Sequence, residues 1–141
     1  MKFLLDTDHI SILQWQTGQE FAALSARLAV HALADFAVCV VSFHEQVLGC
    51  HTYISRARTS ADVVRGYQML DRVLDAFATA QVLPFDAAAA VCAGLVTQRV
   101  RLAVMDLRIA AVALSQGLVL LTRNQRDFGR VPALLTEDWT L

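Results

Sequence analysis

The chain has 141 residues, of which 56% are hydrophobic and 18% charged, and a formal net charge of −1. That length suits a single domain, 1–141, and the composition excludes intrinsic disorder, which needs low hydrophobicity and high net charge. Cys39, Cys50 and Cys92 form no CxxC pair and are odd in number, which excludes a disulfide scaffold, while the balanced charge gives no bulk electrostatic sign of a nucleic-acid partner.

Residues 2–5 (Lys-Phe-Leu-Leu) are a short apolar run ending at Asp6, the pattern of a strand buried on both faces. Residues 19–34 place Phe21, Leu24 and Leu28 at helical spacing among alanines and predict an amphipathic helix. The β-branched run 37–41 (Ala-Val-Cys-Val-Val) predicts a second buried strand. Ser42 follows at an N-cap position with Glu45 three residues on, the spacing of a capping box. A long helix is predicted over 61–80, a short strand over 81–85, and a helix over 87–99 capped by Asp86. Asp106 opens a further helix that runs through Ser115 and is closed by Gly117. Residues 118–121 (Leu-Val-Leu-Leu) predict another buried strand, and 134–136 an edge strand.

Neither long apolar stretch is clean enough to span a bilayer: His31 and Asp35 interrupt 28–43, and Gln116-Gly117 interrupts 109–122. Only Phe3-Leu4-Leu5 separates Lys2 from Asp6, too little for a signal-peptide core, so a cytoplasmic protein with no membrane contact is expected. A mean hydropathy of +0.47 implies apolar surface covered by another chain. Short buried strands alternating with helices imply crossover connections. The expected fold is therefore an α/β three-layer α/β/α sandwich around a short, mostly parallel sheet.

The placement of the acids is the informative feature. Asp6 follows the first strand, Glu45 the second, and Thr122, Asn124 and Asp127 the strand 118–121, while Asp106 opens a helix. Singly, each acid has a plain structural role as a cap or turn residue. In a parallel sheet, however, residues just past the strands share one edge, where ligands bind. Two carboxylates 4 Å apart repel by about 4 kcal/mol at an effective dielectric near 20. Several together need protons or a cation, and hard oxygen ligands select Mg²⁺ or Mn²⁺. The chemistry this suggests is metal-assisted phosphodiester hydrolysis.

The segments carrying these acids resemble those of PIN-domain ribonucleases, especially VapC-type toxins. The resemblance rests on Leu4-Leu5-Asp6-Thr7-Asp8-His9-Ile10-Ser11, on Val41-Ser42-Phe43-His44-Glu45 with Gly49, and on Val82-Leu83-Pro84-Phe85-Asp86. It continues through Asp106-Leu107-Arg108-Ile109-Ala110-Ala111 and Leu121-Thr122-Arg123-Asn124-Gln125-Arg126-Asp127-Phe128, and so covers nearly the whole chain. It implies a divalent-metal-dependent endoribonuclease, the toxin of a toxin–antitoxin pair. Asp6 and Asp106 would be the Mg²⁺ (or Mn²⁺) ligands, and Glu45 would orient or deprotonate the attacking water. Ser11 and Thr122 would hydrogen-bond carboxylates or water around the metal. Asn124 stands where many relatives carry an aspartate, so either it or Asp127 fills the fourth position. His44 replaces a common threonine, and His9 is expected at the surface.

The resemblance also implies a homodimer and a VapB-like antitoxin whose C-terminal segment blocks the acidic groove. The helices within 20–80 would make both contacts. Eleven arginines stand against one lysine, and arginine grips phosphate bidentately. Arg99, Arg101, Arg123, Arg126 and Arg130 flank the cleft in sequence, with Arg101, Arg123 and Arg126 the foremost candidates for RNA phosphate. Two other readings exist. Asp6-Thr7-Asp8 is similar to the DxD motif of haloacid-dehalogenase-type phosphatases, but the downstream lysine that chemistry needs is missing. A catalytically weak PIN-like binding module is the other.

Overall fold

Alternation along the inner strands sorts their apolar residues between two cores. In the computed structural model, which describes residues 1–141, β1 spans Phe3–Leu5, β2 Phe36–Cys39, β3 Val82–Leu83, β4 Val119–Leu121 and β5 Thr136–Glu137. Every pairing is parallel, in the order β3-β2-β1-β4-β5, so the first strand lies at the centre. Successive strand side chains point to opposite faces. Leu4, Ala37, Cys39 and Leu120 pack on one side, with α5 (Ala88–Thr97) and α6 (Val104–Gln116). Phe3, Leu5, Val38 and Leu121 pack on the other, with α1 (Thr7–Trp15), α2 (Gly18–Leu28), α3 (Val40–Ser55) and α4 (Ser60–Ala78). The result is a three-layer α/β/α sandwich. No helix is long and apolar enough to cross a membrane.

Several boundaries differ from those expected, each for a physical reason. The helix α1 has no counterpart among the expected elements, because its opening Thr7-Asp8-His9 is polar and its apolar periodicity weak. The helix expected over 19–34 stops at Leu28. His31 then turns inward to stack on Trp139, with centroids 5.3 Å apart, and to meet Phe3 edge-on at 5.1 Å. The strand expected over 37–41 ends at Cys39, and its last two valines open α3 with Val41 in the core.

That early start abolishes the expected capping box. Cys39, not Ser42, is the N-cap of α3, and Ser42 is buried inside the first turn with its Oγ 3.6 Å from Cys39 Sγ. Ala103 rather than Asp106 caps α6, and Ala87 rather than Asp86 caps α5. The edge strand lies at Thr136–Glu137, slightly beyond 134–136. Gly117 does close α6, at φ +65°, where a left-handed residue turns the chain down into β4.

Candidate active site

The centre of the site is built where β1 and β4 end side by side. Asp6 follows Leu5 directly and caps α1, its Oδ1 accepting the Thr7 N–H at 2.8 Å. Its Oδ2 accepts the hydroxyl of Thr122, the residue just past β4, at 2.7 Å. Both bonds favour the charged form, yet Asp6 is only 5% exposed. Burial first, then the neighbouring charge of Asp8 and more weakly that of Asp106, push its pKa up to about 7.

Asp8, to which the sequence alone assigns no place in the cluster, is a clamp. Its Oδ2 accepts the Arg123 N–H at 2.9 Å, and its Oδ1 meets His9 Nδ1 at 2.7 Å. His9 is not at the surface as expected but fully buried. Its Nε2 accepts the Trp139 N–H at 3.2 Å, so the ring proton sits on Nδ1 and is donated to Asp8. The signal available in sequence was the spacing itself: an acid two residues beyond an N-cap lies in the first helical turn, beside the strand end.

Glu45 is carried on the second turn of α3. Its Oε1 accepts the Thr7 hydroxyl at 2.7 Å, which ties α3 to the start of α1. With no capping box to occupy it, its other oxygen remains available. Asp106, in the first turn of α6, is half-buried and has no hydrogen-bond donor facing it. Burial raises its pKa above the ordinary carboxylate range, followed by the charges of Glu45, Asp127 and Asp8. Acids carried on α3, α6, α7 (Gln125–Phe128) and the β1–α1 junction thus sense one another at one edge of the sheet.

The remaining predicted residues take distinct positions. Asn124 does not present a free oxygen in place of an acid; its Nδ2 donates to Asp127 Oδ2 at 3.1 Å, and its backbone N–H donates to Thr122 Oγ1 at 3.0 Å. Asp127 is also 3.6 Å from the Arg130 guanidinium. Ser11 does not face a carboxylate. Its Oγ accepts from Gln46 Nε2 at 3.1 Å, one residue along from Glu45. Arg123 and Arg126 are exposed beside the cluster, whereas Arg99, Arg101 and Arg130 gather in a separate depression.

No three His, Cys, Asp or Glu side chains stand close enough together to hold an ion as they are. The donor set nevertheless fits a hard divalent cation, since Mg²⁺ keeps several waters and binds through one or two carboxylates. Asp6 and Asp106 suit that role: each is held above its ordinary pKa by burial and then by like charge, and no protein cation is paired with either.

The same elements in the same order characterise a known family, for the PIN domain profile matches residues 3–134. The chain belongs to the PIN-domain family. Over 64 residues this PIN domain is 44% identical to the tRNA(fMet)-specific endonuclease VapC of Shigella flexneri, a stretch covering 42% of this chain and 48% of that relative. The match thus spans about half the length of the curated relative. Its fold is similar to that in the structure of VapBC-1 from nontypeable Haemophilus influenzae, with a TM-score of 0.74, 21% identity and complete coverage of both chains. It is also similar to a chain of FitAcB from Neisseria gonorrhoeae, with a TM-score of 0.70, 27% identity and 99% coverage of each.

Proposed function

We propose that this PIN domain is an endoribonuclease that hydrolyses RNA phosphodiesters with a divalent cation, Mg²⁺ or Mn²⁺, as the toxin of a toxin–antitoxin pair. The observation that carries this reading is the like-charge cluster. Asp6 and Asp106, far apart along the chain, are brought to one edge, driven above their ordinary pKa values and left without a protein cation. Such an arrangement opposes folding unless a cation relieves it.

Asp6 and Asp106 would hold the cation. The chemistry supplied there would be Lewis-acid polarisation of a phosphoryl oxygen and neutralisation of the surrounding acids. Glu45, with Oε1 fixed by Thr7, uses its other oxygen to orient the attacking water and take its proton. Asp127, rather than Asn124, completes the acidic rim. Asn124 fixes Asp127, Thr122 fixes Asp6, and Ser11 acts one step further out through Gln46. Arg101, Arg123 and Arg126 receive RNA phosphates. A cytoplasmic setting follows from an RNA substrate.

Two surfaces support the partners. A cavity of about 970 Å³, mostly apolar, opens between α1, the α2–β2 connection and the end of α4, with Leu13, Leu28, Leu33 and Phe36 in its wall. It suits the apolar face of a VapB-like antitoxin segment, whose end then blocks the acidic groove. Val64, Tyr67 and Leu74 leave a second apolar stripe exposed along α4, which suits a homodimer.

The test is cleavage of total RNA by purified protein. Asp6→Asn and Asp106→Asn should each lower the rate about 10³-fold while circular dichroism stays native. EDTA should stop cleavage, and Mg²⁺ or Mn²⁺ restore it. Cleavage retained by both variants or in EDTA would overturn the mechanism, and a folded wild type with no nuclease activity would favour the binding module.

A further inference from the structure

Beside the acidic cluster lies a basic hollow that the cation chemistry does not use. It has a volume of about 580 Å³ and is lined by Gln98, Arg99, Val100, Arg101, Arg130 and Pro132. Arg99 and Arg101 have no carboxylate partner, and all three arginines are exposed. Arg130 joins the hollow to the acids. Its Nη1 donates to the Arg101 carbonyl at 3.2 Å, and its Nη2 lies 3.6 Å from Asp127, one of the charges that raises the pKa of Asp106.

Arg99 sits there against its backbone preference. The end of α5 closes with Val100 N–H donating to the Leu95 carbonyl at 3.1 Å and Arg99 N–H donating to that of Val96 at 3.0 Å. This pair of bonds requires a left-handed residue between them, and Arg99 has φ +60°. Glycine adopts that conformation freely; a side chain does so at a cost. The chain accepts the strain and thereby directs a guanidinium-bearing residue to the lip of the hollow. Strain kept at such a place points to use.

We propose that Arg99, Arg101 and Arg130 form a phosphate subsite that grips the backbone of the RNA strand next to the linkage being cut. The inference rests on the nuclease reading given above and assigns the strand's path: over Asp106 and Asp127, then across Arg130 into the hollow. The arginine fork suits non-bridging phosphate oxygens, and the guanidiniums of Arg99 and Arg101, which face no carboxylate, are free to receive them. An acidic segment of a protein partner is the competing occupant.

The subsite is tested by fluorescence anisotropy with labelled single-stranded RNA in EDTA, across a salt series. The variant Arg99→Ala/Arg101→Ala should weaken binding about tenfold at low salt. The slope of log affinity against log salt should fall by about 0.7 for each phosphate that is no longer gripped. In Mg²⁺, the same variant should slow cleavage of long RNAs more than that of fragments too short to reach the hollow. Arg99→Gly separates binding from folding, since it should raise the melting temperature and still weaken RNA binding.

Wild-type affinity and slope in both variants would overturn the subsite while leaving the nuclease intact. A wild type that neither binds nor cuts RNA would overturn both readings. Loss of antitoxin binding with RNA binding unchanged would transfer the hollow to the protein partner and refute the proposal.

Discussion

The first turn of α6 and the middle of the same helix obey opposite rules. Asp106 stands half-buried among like charges with no donor to settle it. One turn further on, Ile109, Ala110, Ala111, Val112 and Ala113 are sealed between the sheet and the neighbouring helices, and none is more than 1% exposed. Apolar burial contributes roughly 25 cal/mol per Å², without direction and without regard to pH. Clustered carboxylates subtract stability, and by an amount that depends on protons and cations. A rigid, well-packed middle is what allows a destabilising edge to be held in register.

The largest expected departure from this contrast lies at Asp6. An acid whose pKa is about 7 when folded and 3.8 when unfolded holds its proton more tightly in the native state. Below the unfolded value both states are protonated and nothing is lost. As pH rises through the interval, the unfolded chain ionises first, and native stability falls until the folded group ionises too. Asp6→Asn removes that loss. The variant should lie within about 1 kcal/mol of wild type at pH 4 and be more stable at pH 8, by up to about 4 kcal/mol in urea unfolding without divalent ions. An equal gap at both pH values would show that the edge carries no electrostatic load, and the contrast would collapse.

Ile109→Ala probes the other half. The side chain is fully buried, so truncation should cost about 3 kcal/mol through reduced transfer energy and a cavity, equally at pH 4 and pH 8. A pH-dependent cost would mean that packing and charge are coupled along the helix. The smallest effect is expected at Gly117. An added Cβ would touch nothing within 4 Å, yet φ is +65°, so Gly117→Ala should cost about 1 kcal/mol through the backbone alone. A larger loss would mean that the turn into β4 also sets the register of the site.

What could be read without coordinates follows the same division. Apolar runs announced β1, β2 and β4, because a strand covered on both faces needs uninterrupted hydrophobicity. Asp6, Glu45, Asp106 and Asp127 stood out because each follows or opens an element whose end meets the same edge. Boundaries set by tertiary contact were not legible. The β-branched Val40-Val41 reads as strand until α3 packs on it, and α2 runs on in sequence until His31 is claimed by Trp139. Nor was the burial of His9 visible, because its two partners, Asp8 and the Trp139 amide, come from opposite ends of the chain.

The central position of β1 has a consequence for biosynthesis. Its neighbours in the sheet are β2 and β4, and the hydroxyl that fixes Asp6 comes from Thr122, 116 residues later. Domains begin to fold as they leave the ribosome, but here the pairing of β1 with β4 must wait until the intervening helices and strands have been made. The nascent polypeptide therefore carries its acids apart, and the acidic edge closes only once β4 and Thr122 have been made.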